Sequence, residues 1–208
     1  MLRIAISSFL LFVTALAAAA EESRNLELTP FAGYGMGGDF ENADDGSALE
    51  FDEGGSLGLI LNLKADAMTQ WELLYTRQTT ELDTASLFLN QSTLSVDVHY
   101  LHAGGTYLFE DRGLQPYIAG GLGLSRFDPV GAEFDAESYF SMSLGVGLRF
   151  LPSQRFGVRL EGRVFSSLVD SDSTIFCRTG SDNNVCAIKV AGSLVTQWHA
   201  FAGVTFRF

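Results

Sequence analysis

From residue 26 onward, apolar and polar side chains alternate with a period of two, the signature of strands that keep one face away from water. Eight such segments lie near 26–36, 56–63, 71–79, 94–108, 116–127, 139–150, 156–168 and 196–208. Most approach the roughly 9–11 residues that a tilted strand needs to cross a bilayer. In the sixth, Phe140, Met142, Leu144, Val146, Leu148 and Phe150 share one face, opposite Tyr139, Ser141, Ser143, Gly145, Gly147 and Arg149. In the eighth, Trp198, Ala200, Ala202, Val204, Phe206 and Phe208 lie opposite Gln197, His199, Phe201, Gly203, Thr205 and Arg207. A soluble sandwich turns its apolar faces inward, whereas a transmembrane barrel turns them out to lipid. Alternation alone does not separate the two.

The connections do. Those near 64–70, 109–115 and 151–155 are short, and those near 37–55, 80–93, 128–138 and 169–195 are longer. Short turns on one rim and long loops on the other are the habit of outer-membrane barrels, and a sandwich has no reason to sort its loops this way. The outward aromatics fall into two groups: Trp71, Phe150, Phe156, Phe206 and Phe208 near the short-turn rim, and Phe140 and Trp198 near the other. Such girdles mark the membrane–water interfaces. The pattern therefore predicts an all-β, eight-stranded antiparallel up-and-down transmembrane β-barrel.

Composition fits. The chain of 208 residues has 22 Gly and 17 Phe but only 4 Pro, which suits short strands. Residues 1–20, "MLRIAISSFLLFVTALAAAA", read as a cleaved secretory signal peptide: Arg3, an apolar run, then small residues before Glu21. That leaves 21–208 as one barrel domain in the cell outer membrane, with no soluble module expected after Phe208. The formal charge is −12, and loss of Arg3 with the leader makes it one unit more negative, which argues against a nucleic-acid partner.

The chain resembles the small eight-stranded outer-membrane barrels of Gram-negative bacteria, the group that holds the OmpA transmembrane domain, OmpX, OmpW and opacity-type proteins. The resemblance rests on the terminal strand Trp198 to Phe208, on "LTPFAGYGMGG" of the first segment and on "PYIAGGLGLS" of the fifth. It implies that Trp198, Val204, Phe206 and Phe208 form the signal read by the barrel assembly machinery. Some barrels of this size are enzymes acting on lipids. The deacylase type carries His-x-Ser, but the three histidines here read "HYL", "HAG" and "HAF". The palmitoyltransferase type begins with an amphipathic helix, for which "EESRN" is too short. No enzyme, cofactor or metal is expected.

The interior of an eight-stranded barrel is filled by side chains. The alternation assigns four acids to it, Glu27, Glu72, Asp97 and Glu161, and four arginines, Arg149, Arg159, Arg163 and Arg207, together with His99 and His199. Glu27 opens the first strand and Arg207 closes the last, so barrel closure sets them side by side. Buried charges must be paired, and the balanced set predicts a salt-bridged plug, with inward glycines such as Gly145 and Gly147 making room for the arginines. The reading is a non-enzymatic barrel, expected as a monomer, with four surface loops for envelope or extracellular contacts. The alternative is a small porin-like channel for small or hydrophobic solutes. Ser95, Asp97 and His99 share a face, but steps of roughly 7 Å along one strand prevent a direct relay.

Three further features bear on chemistry. "GYGMGG" continues a strand without a following helix, so it is interior clearance and not a phosphate loop. Seven acids lie between Asp39 and Glu53 with no base; they suit a divalent cation in type but not in spacing, and a solvated acidic loop accounts for them. Cys177 and Cys186 share the last long loop and, in an oxidising compartment, are expected to form a disulfide. Arg77 and Arg126 are assigned to the outer wall near the outer rim. There they either meet lipopolysaccharide phosphates or snorkel.

Overall fold

The computed structural model describes residues 25–41, 48–50, 52–83, 93–109, 113–129, 136–151, 153–169, 174–178, 185–189 and 194–208. The expected signal peptide lies outside these residues, as do Asp44 and Asp45 of the acidic loop. Eight long strands form the wall: β1 (Leu26–Gly37), β4 (Gly54–Lys64), β5 (Thr69–Asp83), β6 (Thr93–Leu108), β7 (Gln115–Pro129), β8 (Glu137–Phe150), β9 (Phe156–Leu168) and β12 (Leu194–Arg207). Each pairs antiparallel with its sequence neighbour in the wall, and β12 returns to β1, closing the barrel in the order β1-β12-β9-β8-β7-β6-β5-β4. Closure leaves no unpaired edge, the condition for a sheet to sit in lipid.

The strands match the eight alternating segments to within four residues at each end. Two small hairpins, not anticipated from the pattern, stand in the long connections: β2 (Asp39–Glu41) with β3 (Ala48–Glu50), and β10 (Thr174–Arg178) with β11 (Val185–Lys189). The short turns carry recognisable chemistry. Asp66 accepts the backbone N–H groups of Met68 and Thr69, both at 2.8 Å, and the Thr69 hydroxyl at 2.6 Å. Those bonds, the Thr69 hydroxyl first, hold its carboxyl below the usual range. Gly113 takes a φ of 96° in the next turn, a conformation that side chains disfavour. At the seam the Phe208 N–H donates to the Leu26 carbonyl at 2.9 Å.

The outer wall is apolar in a continuous band. Trp71 is 67% exposed and Leu144 66%, and Phe140, Phe150, Phe156, Trp198 and Phe208 are also exposed. The inside is packed, and beside its polar groups it carries an apolar region. Toward the long-loop end, Val96, Val98, Tyr100, Phe127, Phe165, Val169 and Val195 form a buried apolar cluster that continues to Phe31, Ile60, Leu74 and Phe201. Phe31 and Phe201 stack across the seam with centroids 4.2 Å apart.

Candidate functional site: the lumen charge cluster

The central feature inside the barrel is a closed ring of four charges. Arg159 and Glu161 sit two residues apart on the inner face of β9, Arg163 follows two further on, and Glu72 projects from β5. Glu72 receives Arg159 at 2.8 Å on one carboxylate oxygen and Arg163 at 2.6 Å on the other. Glu161 receives the same two guanidinium groups at 2.7 and 2.5 Å. Every carboxylate thus bridges both arginines. The side chains of this ring are at most 5% exposed.

Neutral groups satisfy most of what remains, and Arg163 Nη1 alone of the ring's polar atoms is buried without a hydrogen-bond partner. The Tyr117 hydroxyl donates to Glu161 at 2.6 Å and accepts from Arg159 Nε at 2.7 Å, while the guanidinium carbon lies 4.5 Å from the Tyr117 ring centre. The Thr106 hydroxyl donates to Glu72 at 2.7 Å, and Asn62 both accepts from Arg159 at 2.9 Å and donates to Glu72 at 3.2 Å. These bonds meet the requirement that buried charges be paired and hydrogen-bonded. Gly145 supplies clearance: a Cβ there would stand 2.6 Å from Glu161 Oε1 and 3.0 Å from Arg163 Nε.

A second cluster closes the short-turn mouth. Glu27 accepts Arg149 at 2.9 Å and Arg207 at 2.8 Å, and Arg149 also donates to Gln115 at 2.7 Å. The juxtaposition of Glu27 and Arg207 expected from closure is present, since the two are paired in register. A polar cavity of about 450 Å³ opens here, between Lys64, Gln70, Arg149 and Arg207.

The structure corrects two assignments. Asp97 and His99 do not face the lumen. In β6 the inner face carries Val96, Val98, Tyr100, His102 and Thr106, so Asp97 and His99 point outward. On the outer wall Asp97 accepts Arg77 at 2.5 Å and the Thr79 hydroxyl at 2.7 Å, and His99 Nδ1 meets the Tyr75 hydroxyl at 3.0 Å. The inversion arises near the loop end, where the interior is the apolar cluster and the outward side chains are polar. Among the described residues, the lumen ion pairs therefore set three carboxylates against four guanidinium groups instead of an even balance. His199 does point inward and lies against Phe165 and Tyr100 at 4.9 and 6.1 Å between centroids.

The inward histidine of β6 is His102, which had no assigned role. Its ring nitrogens meet Ser143 at 2.8 Å and Ser141 at 2.6 Å. A serine–histidine contact thus exists, but all three side chains are buried inside the packed lumen. Arg77 and Arg126 lie on the outer wall as expected, with side chains 53% and 55% exposed. Trp198, Val204 and Phe208 are exposed on the outer face of β12, with Phe206 partly covered. Cys177 and Cys186 face each other in the β10–β11 register. Among the described residues no group of three or more His, Cys, Asp or Glu is arranged for a metal ion.

A closed antiparallel barrel of eight strands, apolar outside and charged within, is an integral outer-membrane barrel. The sequence model of the family "Outer membrane protein beta-barrel domain" matches residues 6–185, and the chain belongs to that family. Among solved structures it is similar to Neisserial surface protein A (NspA), 13% identical with a TM-score of 0.59, covering 89% of this chain and 98% of that one. It is similar to the outer membrane protein OprG from Pseudomonas aeruginosa, 11% identical with a TM-score of 0.58 and coverage of 88% and 96%. The outer membrane protein AlkL, solved by solid-state NMR in DMPC lipid bilayers, is 13% identical with a TM-score of 0.55 and coverage of 88% and 90%. At these identities the likeness is one of fold. No curated protein sequence matches the chain. The protein is an outer-membrane protein.

Proposed function

We propose that the protein is a non-enzymatic outer-membrane barrel, inserted as a monomer by the barrel assembly machinery, whose lumen is held shut and whose long loops engage envelope or extracellular partners. The observation that carries this reading is the four-charge ring of Glu72, Arg159, Glu161 and Arg163, in which each carboxylate is held by both guanidinium groups. The ring occupies the cross-section of a narrow lumen, and the apolar cluster fills the end beyond it. Ions would have to displace two seals of opposite character. The buried positions of Ser141, His102 and Ser143 favour a packing role for that contact, because a catalytic nucleophile must meet its substrate. In planar bilayers the purified protein is expected to give no stable current steps; large, stable single-channel steps would replace this reading with the porin-like channel.

The loops belong to the same proposal. The Cys177–Cys186 register favours a disulfide across the β10–β11 hairpin, which would restrain a loop on the outer surface. It closes a short loop, so its stabilising contribution is at most about 2–3 kcal/mol. Thiol alkylation of unreduced protein is expected to add no mass, and alkylation after reduction two adducts. Two adducts without reduction would show free thiols.

A further inference from the structure

The outward placement of His99 completes a row. Arg77 on β5 is paired in register with His99 on β6, and His99 with Arg126 on β7. All three side chains leave the same, outer face. Neighbouring strands are about 4.8 Å apart, so the three side chains start within about 10 Å of one another. We infer that this row binds the phosphate group of an anionic lipid headgroup in the outer leaflet.

Its height supports that ligand. One step toward the membrane, the same three strands present Tyr75, Leu101 and Leu124, again in register. Leu101 is 51% exposed and Leu124 54%, and on β8 the exposed Phe140 extends that row. The basic row is therefore the first polar layer above the apolar wall, the level at which headgroups sit. The second row outward holds Asp97 and Asp128, also in register. Asp97 is set back, 8% exposed, and anchors Arg77 through Nη2 alone. Tyr75 holds His99 through Nδ1 and leaves Nε2 for a ligand. Arg126 lies 3.8 Å from Asp128, with both side chains about half exposed. Two guanidinium forks, one fixed by a carboxylate, with an imidazole between them, match the several acceptor oxygens of a phosphate monoester. The acids on the far side keep the row from drawing anions indiscriminately. This site is independent of whether the lumen is closed.

The test uses the full barrel in phosphatidylcholine nanodiscs and three probes: bis-phosphorylated lipid A, the same lipid dephosphorylated, and inorganic phosphate. Lipid A retained per barrel is measured by mass spectrometry. Wild type is expected to retain the phosphorylated lipid in preference to the dephosphorylated one. The triple variant Arg77→Gln, His99→Gln, Arg126→Gln is expected to retain it at least roughly ten-fold more weakly, the scale of one lost charge-assisted hydrogen bond. Arg126→Gln alone, whose only ion pair among the described residues is the long one to Asp128, is expected to give part of that loss in a barrel with unchanged heat-modifiable mobility. Equal retention of the dephosphorylated lipid, or no change in either variant, would mean that the arginines only snorkel. Inorganic phosphate binding to the row without preference for phosphorylated lipid would overturn the headgroup assignment in favour of a free anion.

Discussion

Replacing Glu161 with leucine is expected to destabilise the folded barrel by about 3–5 kcal/mol, the range for removing one partner of a buried ion pair. The substitution is close in volume, so the loss is electrostatic and not a cavity effect. Arg159 and Arg163 would be left to share Glu72, two guanidinium groups on one carboxylate in a site almost closed to water. The Tyr117 hydroxyl would lose its 2.6 Å acceptor as well and keep only the Leu160 carbonyl at 3.4 Å. The informative comparison is the double variant Glu161→Leu, Arg163→Met. It leaves Arg159 with Glu72 at 2.8 Å, a neutral pair still supported by Asn62 and Thr106. Because paired charges and apolar replacements are often close in stability, the double variant should be more stable than Glu161→Leu alone although it carries one change more. Urea-dependent folding into lipid vesicles, followed by Trp71 and Trp198 fluorescence, measures both. Simple additivity of the two substitutions would show that the ring is not a coupled unit.

That ring was only half visible in the sequence. Period-two alternation placed Glu72, Arg159, Glu161 and Arg163 on the inner face, because each sits between residues that face lipid. It did not say who pairs with whom. Glu72 on β5 reaches β9 across the lumen, not along a ladder, and such contacts leave no spacing in the chain. The neutral members Asn62, Thr106 and Tyr117 are not legible for a related reason: nothing about an inward polar or aromatic residue marks it as a partner of a charge. The pairing of Glu27 with Arg207 was legible because it follows from closure alone.

The error on β6 has a clear physical origin. Polarity reports direction only while one side of the strand meets lipid. Near the long-loop end Val96 and Val98 are fully buried inside and Asp97 faces out, so the apolar-means-outward rule inverts within a single strand. The signal that resolves it is phase. Counting in twos from Leu101, 51% exposed and within the apolar band, puts 99 and 97 outside whatever their polarity. The two small hairpins escape the pattern because their strands are three and five residues long, too short to show a period.

The same geometry gives a second large effect at Gly104. This residue lies on the inner face of β6, opposite Gly121 of β7. A Cβ built there would collide with the Gly120 carbonyl oxygen and stand 2.6 Å from the Gly121 Cα. Both obstacles are backbone within the barrel ladder, so no side chain can swing aside. Relief would require β6 and β7 to separate, and that breaks hydrogen bonds which lipid cannot replace. Gly104→Ala is therefore expected to exceed the roughly 1–3 kcal/mol of ordinary overpacking and to leave little folded protein. Gly162 provides the matched control. It is on the outer face of β9, and a Cβ there would have nothing within 4 Å. Gly162→Ala should fold as well as wild type, or better by up to about 1 kcal/mol through reduced chain entropy in the unfolded state. Heat-modifiable mobility on gels after refolding from urea reads both. A normal folded fraction for Gly104→Ala would mean that the β6–β7 contact is looser than the register and the close backbone approach require.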